Sequence, residues 1–151
     1  NSCCSILSVA MPENEAHEIL LDGFLTFLDT LEGAGEDIIN WAPLLIRWEL
    51  GLLGELGFAL NLENCVATGV TEDLIYVSPK SGRAVSRTAG EPYHDKMLRL
   101  PLFLVGNGEN VNMDDVSDGL GLTEFFMERH MRNSSGKKLP QARRLFRDYI
   151  R

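Results

Sequence analysis

Between residues 65 and 92 the helical spacing of apolar side chains breaks off, and this interruption constrains the fold more than any other feature of the chain. Leu74-Ile-Tyr-Val77 and Arg83-Ala-Val-Ser86 flank the turn-forming Ser78-Pro-Lys-Ser-Gly82 in hairpin fashion, so a small antiparallel hairpin is expected there. On both sides the pattern is helical. The expected fold is therefore mainly α, an antiparallel helical domain with a small β-hairpin insertion.

Leu20, Phe24, Phe27, Leu28 and Leu31 follow an i, i+4, i+7, i+8, i+11 pattern, a first amphipathic helix stopped by Gly33-Ala-Gly35. A second helix begins after Asn40, tolerates Pro43 in its first turn and buries Trp41, Leu44, Leu45, Trp48, Leu52 and Leu56 before Gly57 caps it. These two should pack as an antiparallel pair. Ile6, Leu7 and Ala10, ahead of Pro12, read as the end of a further helix. Beyond the hairpin come a short helix from about Pro92 to Leu98, a loop over residues 106–112, and a helix carrying Leu122, Phe125, Phe126 and Met131. Asn133-Ser-Ser-Gly136 is a breaker. The last helix restarts near Pro140 with an apolar stripe of Ala142, Leu145, Phe146, Tyr149 and Ile150, while Arg143, Arg147 and Arg151 line another face.

A chain of 151 residues is a one-domain length, long enough to bury roughly two thirds of its unfolded surface. No signal peptide and no membrane-spanning run is visible, and three cysteines, two of them adjacent, form no disulfide framework. A reducing cytoplasm fits. The net charge of −8 is unevenly spread: residues 1–63 hold eleven acidic side chains against Arg47 alone. Residues 129–151 reverse this, with eight Lys and Arg against Asp148. An acidic half repels phosphate, so polyanion contact must be local to the basic tail or to the loop carrying Lys80, Arg83 and Arg87.

Catalytic constellations are missing from the sequence. None of the three histidines, His17, His94 and His130, stands beside a serine or cysteine in an activating motif. Lys80-Ser81 superficially suits a phosphate loop, yet Leu74 and Pro79 occupy the positions that need glycine. Asp114, Asp115 and Asp118 precede a helical stretch, where carboxylates cap and complement the dipole. Lys80, Arg83 and Arg87 have two readings, a phosphate or partner contact and a solvated turn. Arg47 likewise either pairs with a neighbouring acidic helix or anchors an incoming carboxylate.

Several of these segments together resemble the RecO family of recombination mediators, in its alphaproteobacterial form. The likeness rests on Cys65-Val-Ala-Thr-Gly69, the stretch from Tyr76 to Arg87, Ala89-Gly-Glu-Pro-Tyr93, Arg47-Trp48-Glu49-Leu50 and Leu100-Pro101. It implies the C-terminal helical domain of such a protein as one unit over 1–151, without the N-terminal OB-fold that carries most DNA contact. Many members hold a four-cysteine zinc site in the hairpin region. Here Cys65 matches the first ligand, Thr68 replaces the next, and Cys65 with His94 cannot complete a tetrahedral set, so the region resembles a zinc finger that has lost its cysteines and no metal is expected.

The resemblance also implies a non-enzymatic role in RecF-pathway repair: single-stranded DNA binding and annealing, and RecA loading through contacts with SSB and RecR, in the cytoplasm and nucleoid. The family's helical domain docks the acidic, Phe-ending SSB tail in an apolar pocket rimmed by cations. Carried over residue by residue, Arg47 and Arg143 are the leading contacts; Arg147 is a further candidate, and Trp48, Leu52 and Phe27 are either pocket walls or core. The competing reading is a structural helical module that orients an OB-fold neighbour and has no ligand of its own. An enzyme ranks third.

Overall fold

Asp37 starts the first long helix, α1 (Ile38–Glu55), its side chain accepting the Ile39 N–H at 3.2 Å. The computed structural model to which this helix belongs describes residues 25–26, 29, 31–33, 37–106, 110–134, 136 and 138–150. Helix α1 begins earlier than the sequence suggests, so Pro43 lies inside it and not in its first turn. The helix forgoes one backbone bond there, and the earlier start lets Ile38 pack on the core. Its end is as expected: Gly57, at φ +89°, donates to the Gly54 carbonyl and Phe58 donates to that of Leu53 at 2.8 Å. This is a Schellman ending, which needs a left-handed residue and finds one in glycine. The buried face of α1 is Ala42, Leu45, Ile46, Trp48, Leu52 and Leu53, with the carboxylate of Glu49 among them.

Of the first expected helix, Leu25, Thr26, Asp29 and residues 31–33 are helical, and Leu31 packs against the core. Leu20, Phe24, Phe27 and Leu28 lie outside the described residues, as do the segment before Pro12 and the expected antiparallel pairing with α1 that depends on them.

The hairpin forms where the sequence places it, from β1 (Leu74–Val77) and β2 (Ala84–Ser86), paired antiparallel. A third strand, β3 (Leu98–Arg99), joins the far side of β1 to give the order β2-β1-β3. The short helix expected up to Leu98 is instead one α turn, α2 (Arg87–Gly90), followed by a 3-10 segment, Glu91–Lys96. Pairing with Tyr76 and Val77 pulls Arg99 and Leu98 into the sheet, a tertiary override that local spacing cannot show. The outer side of β2 is closed by residues 61–66, through Ala84 N–H to the Asn61 carbonyl and Val66 N–H to that of Ala84, both 2.9 Å.

Helix α3 (Met113–Ser134) begins with a reciprocal cap. The Asn112 side chain accepts the Asp115 N–H at 2.9 Å, and the Asp115 carboxylate accepts the Asn112 N–H at 3.1 Å. Asp114 and Asp115 therefore sit in the first turn, as their dipole-complementing role requires, and Asp118 lies further in. Val116, Leu120, Thr123, Met127 and Met131 face the core with Phe126, whereas Phe125 stays exposed. His130 is half-buried, its ring edge-on to Phe58 at 5.0 Å. After Gly136, at φ +65°, α4 (Gln141–Ile150) packs back onto α3.

Candidate functional site

The polar centre of the domain is an ion pair that three helices build together. Glu49 projects from the buried face of α1 and Arg143 from the first turn of α4, and both side chains have 0% exposure. Arg143 Nε donates to Glu49 Oε1 at 2.6 Å and Nη2 to Oε2 at 2.9 Å, a bidentate pairing. Nη2 also donates to the Leu120 carbonyl and the Thr123 hydroxyl, each at 3.2 Å, and Thr123 donates in turn to Glu49 Oε2. Nearer the surface Arg147 donates to Glu124 at 3.1 Å. It lies across Gly121, where an added Cβ would stand 3.1 Å from Nη2, so the missing side chain gives the guanidinium its seat. Trp41 and Phe146 close the same junction with ring centroids 5.3 Å apart.

This arrangement corrects the expected partner contacts. Arg143 is committed to Glu49 and offers no surface, because a charge taken out of water must be paired and hydrogen-bonded where it lies. Trp48 and Leu52 are core, at 6% and 0% exposure, and not the walls of an open pocket. Arg147 is about a quarter exposed and bound to Glu124. The last helix is also turned relative to the expected stripe. Arg143, Phe146, Arg147 and Ile150 face inward or stand at its margin, and Leu145 is 56% exposed. Arg47 remains at the surface, donating to the Phe103 carbonyl at 2.8 Å and lying 6.0 Å from that ring's centroid. Phe27 lies outside the described residues.

The basic surface that does form is a groove beside the hairpin tip. The Schellman turn of α1 delivers Phe58 and Leu60 to one wall, Lys80, Ser81 and Gly82 form the second, and Phe126 and Arg129 of α3 the third, around a cleft of about 200 Å³. Gly82, at φ +66°, permits the close approach: an added Cβ would stand 2.7 Å from Leu60 Cδ2. Arg129 ties helix to hairpin by donating to the Pro79 and Lys80 carbonyls. A second depression of about 490 Å³ shares Arg129 and is lined by exposed Phe125, Arg132 and Asn133, with Glu128 at its side. Of the three loop cations only Lys80 lines the groove. Arg83 is half-buried beside the Asn61 bridge, and Arg87 donates to Asp73 at 3.1 Å in a pair more than half exposed on each side. The sequence reading missed Arg129, Arg132, Phe58 and Leu60. Their signal was present as the basic excess after residue 129 and the turn after Gly57, but nothing local joins the two.

In the hairpin region the Cys65 thiol is buried at 1% exposure and accepts the Ser86 N–H at 3.2 Å. Burial pushes its pKa up, but hydrogen bonds from the Thr68 hydroxyl, the Ser86 N–H and hydroxyl and the Ala67 N–H outweigh it and hold the thiol at about 6. Thr68, standing where a second thiolate would be needed, thus serves Cys65 directly. Among the described residues no three His, Cys, Asp or Glu side chains are placed to share a metal ion, so the described residues do not fit a tetrahedral zinc site. Among the same residues no helix is long and apolar enough to cross a membrane.

Fold and site together define a helical scaffold with a three-stranded antiparallel insertion, an internally neutralised polar core and a cationic, aromatic-lined groove. Residues 1–140 match the family described as "Recombination protein O C terminal". The chain belongs to that family. It is 43% identical over 153 residues to the DNA repair protein RecO of Rhodospirillum centenum, covering 100% of this chain and 59% of that protein. The Rhodospirillum rubrum protein of the same name is 40% identical over 99% of this chain and 60% of its own length. That of Phenylobacterium zucineum is 43% identical over 95% and 57%. The chain thus spans somewhat under two thirds of the length of these relatives. No solved structure matches it.

Proposed function

We propose that residues 1–151 act as one unit, the helical interaction module of a RecO-type recombination mediator in RecF-pathway DNA repair. In this reading an OB-fold, which the family resemblance implies, carries most of the DNA contact. The module supports single-stranded DNA binding, annealing and RecA loading through SSB and RecR, in the cytoplasm and nucleoid, without bond chemistry of its own. The hairpin region then takes the place of a metal-braced loop, held by the bonds at Cys65.

The observation that carries the proposal is the groove, in which Phe58, Leu60 and Phe126 stand beside Lys80 and Arg129 with Arg132 next along α3. An acidic peptide ending in an aromatic residue suits it: the ring enters the cleft and the carboxylates meet the cations. Anisotropy of a labelled SSB C-terminal peptide against the chain, at low and moderate salt, tests this. Binding should weaken about tenfold in the Lys80→Ala/Arg132→Ala double variant, which leaves the Arg129 tie in place, and should persist in Arg47→Ala. Loss in Arg47→Ala alone would move the contact to the Phe103 side. Absence of peptide binding would favour a structural module orienting an OB-fold, a reading supported by how completely Arg143 is spent on internal partners.

A further inference from the structure

The docking of α4 combines three properties that together have a consequence for assembly. First, the recognition is polar and specific: a carboxylate floor (Glu49, with Glu124 at its edge) receives Arg143 and Arg147, and Trp41 receives Phe146. Second, α4 has ten residues, and a helix of that length is marginal in water unless something packs against it. Third, the connection between α3 and α4 spans residues 135–140, with Gly136 in the left-handed region, Gly136 and Lys138 exposed and Leu139 anchored in the core.

A groove that reads groups carried by every copy of the chain does not distinguish its own last helix from another's. Exchange of an identical element across such a connection is a low-cost route to a dimer, because every contact of the closed form is re-formed in the exchanged one. We propose that α4 is exchangeable, and that the groove between α1 and α3 accepts the Arg143-bearing helix of a second copy. Nothing in this depends on the groove at the hairpin tip, so it goes beyond the partner reading above. Closed and exchanged forms share their interface contacts and differ in the connection and in entropy, so concentration and the length of the connection set the balance.

Charge reversal isolates the exchanged form. Glu49→Arg sets two arginines against each other within one chain, and Arg143→Glu sets two carboxylates. When the two full-length variants are mixed, each α4 matches only the groove of the other chain. The expected result is that each variant alone runs as a monomer of 16.8 kDa with α4 unprotected in hydrogen exchange, while the mixture gives a species of twice that mass with α4 protected. The Glu49→Arg/Arg143→Glu chain, matched within itself, reports whether the reversed pair is tolerated. If that chain folds and the mixture stays monomeric, the proposal is wrong. If the reversed pair is not tolerated, deletion of Ser135-Gly136-Lys137 from the wild-type chain decides instead. It removes roughly 10 Å of reach, closing the route back to the chain's own groove but not to a neighbour's. A dimer by light scattering supports exchange, and a monomer with unprotected α4 overturns it.

Discussion

Arg143→Met removes the cation from the buried pair and leaves the Glu49 carboxylate with the Thr123 hydroxyl as its remaining partner in this network. Two unit charges about 4 Å apart attract by about 4 kcal/mol at an effective dielectric near 20, and breaking a buried pair from one side costs about 3–5 kcal/mol. That is a large part of the 5–15 kcal/mol stability typical of a domain. With a urea slope of about 2 kcal/mol per molar, the midpoint should fall by roughly 2 M. Tryptophan fluorescence reads the transition, because Trp48 is buried beside Glu49 in sequence and Trp41 contacts Phe146 of α4. The companion variant Glu49→Leu/Arg143→Met removes both charges. Thr123 keeps the Gly119 and Leu120 carbonyls as acceptors at 3.3 Å, so no hydroxyl is stranded. The double variant should recover most of the loss, since apolar replacement of a buried pair is often neutral or stabilising. An Arg143→Met midpoint within about 0.5 M of wild type, or a double variant worse than the single, would refute the reasoning.

Gly82→Ala combines a left-handed φ with a 2.7 Å approach to Leu60 and should cost about 1–3 kcal/mol, measured by urea unfolding, with peptide binding at the groove weakened alongside. Asn112→Ala removes the cap of α3 and should lower stability by about 1 kcal/mol in the same assay. Cys65 gives a pH dependence. Its folded pKa of about 6 lies below its ordinary value of 9.0, so its contribution is complete above the unfolded value and is lost as pH falls through about 6. Unfolding free energy should therefore rise between pH 6 and 9 in the wild type, by an amount on the order of a few kcal/mol at most, and Cys65→Ala should flatten the rise. A parallel slope in both chains would remove Cys65 as its source.

The strands of the hairpin, the Gly57 stop of α1 and the restart of α4 after Pro140 were legible because each depends on groups within a few residues: a turn, a left-handed glycine, a proline. The start of α1 was placed late because Asp37 and Asn40 are both good caps, and the choice between them rests on packing of Ile38. Strand β3 was missed because two residues have no pattern of their own and become a strand only by pairing with β1.

The candidate site was less legible. Glu49 could have been singled out, since it interrupts the buried apolar face of α1, yet only Arg143, ninety-four residues later, explains it. Arg143 was a partner contact through the family resemblance alone, and sequence spacing could not test it, because spacing places a side chain on a helix without saying which way the helix is turned.

Taken alone, the order of residues determined the mainly helical architecture, the hairpin, most element ends and the family, all of which follow from short-range stereochemistry and from motifs. Which arginines meet water was decided by tertiary structure. Burying a guanidinium is tolerable only where a carboxylate, a carbonyl and a hydroxyl from other helices converge on it, and that convergence exists only once α1, α3 and α4 have packed.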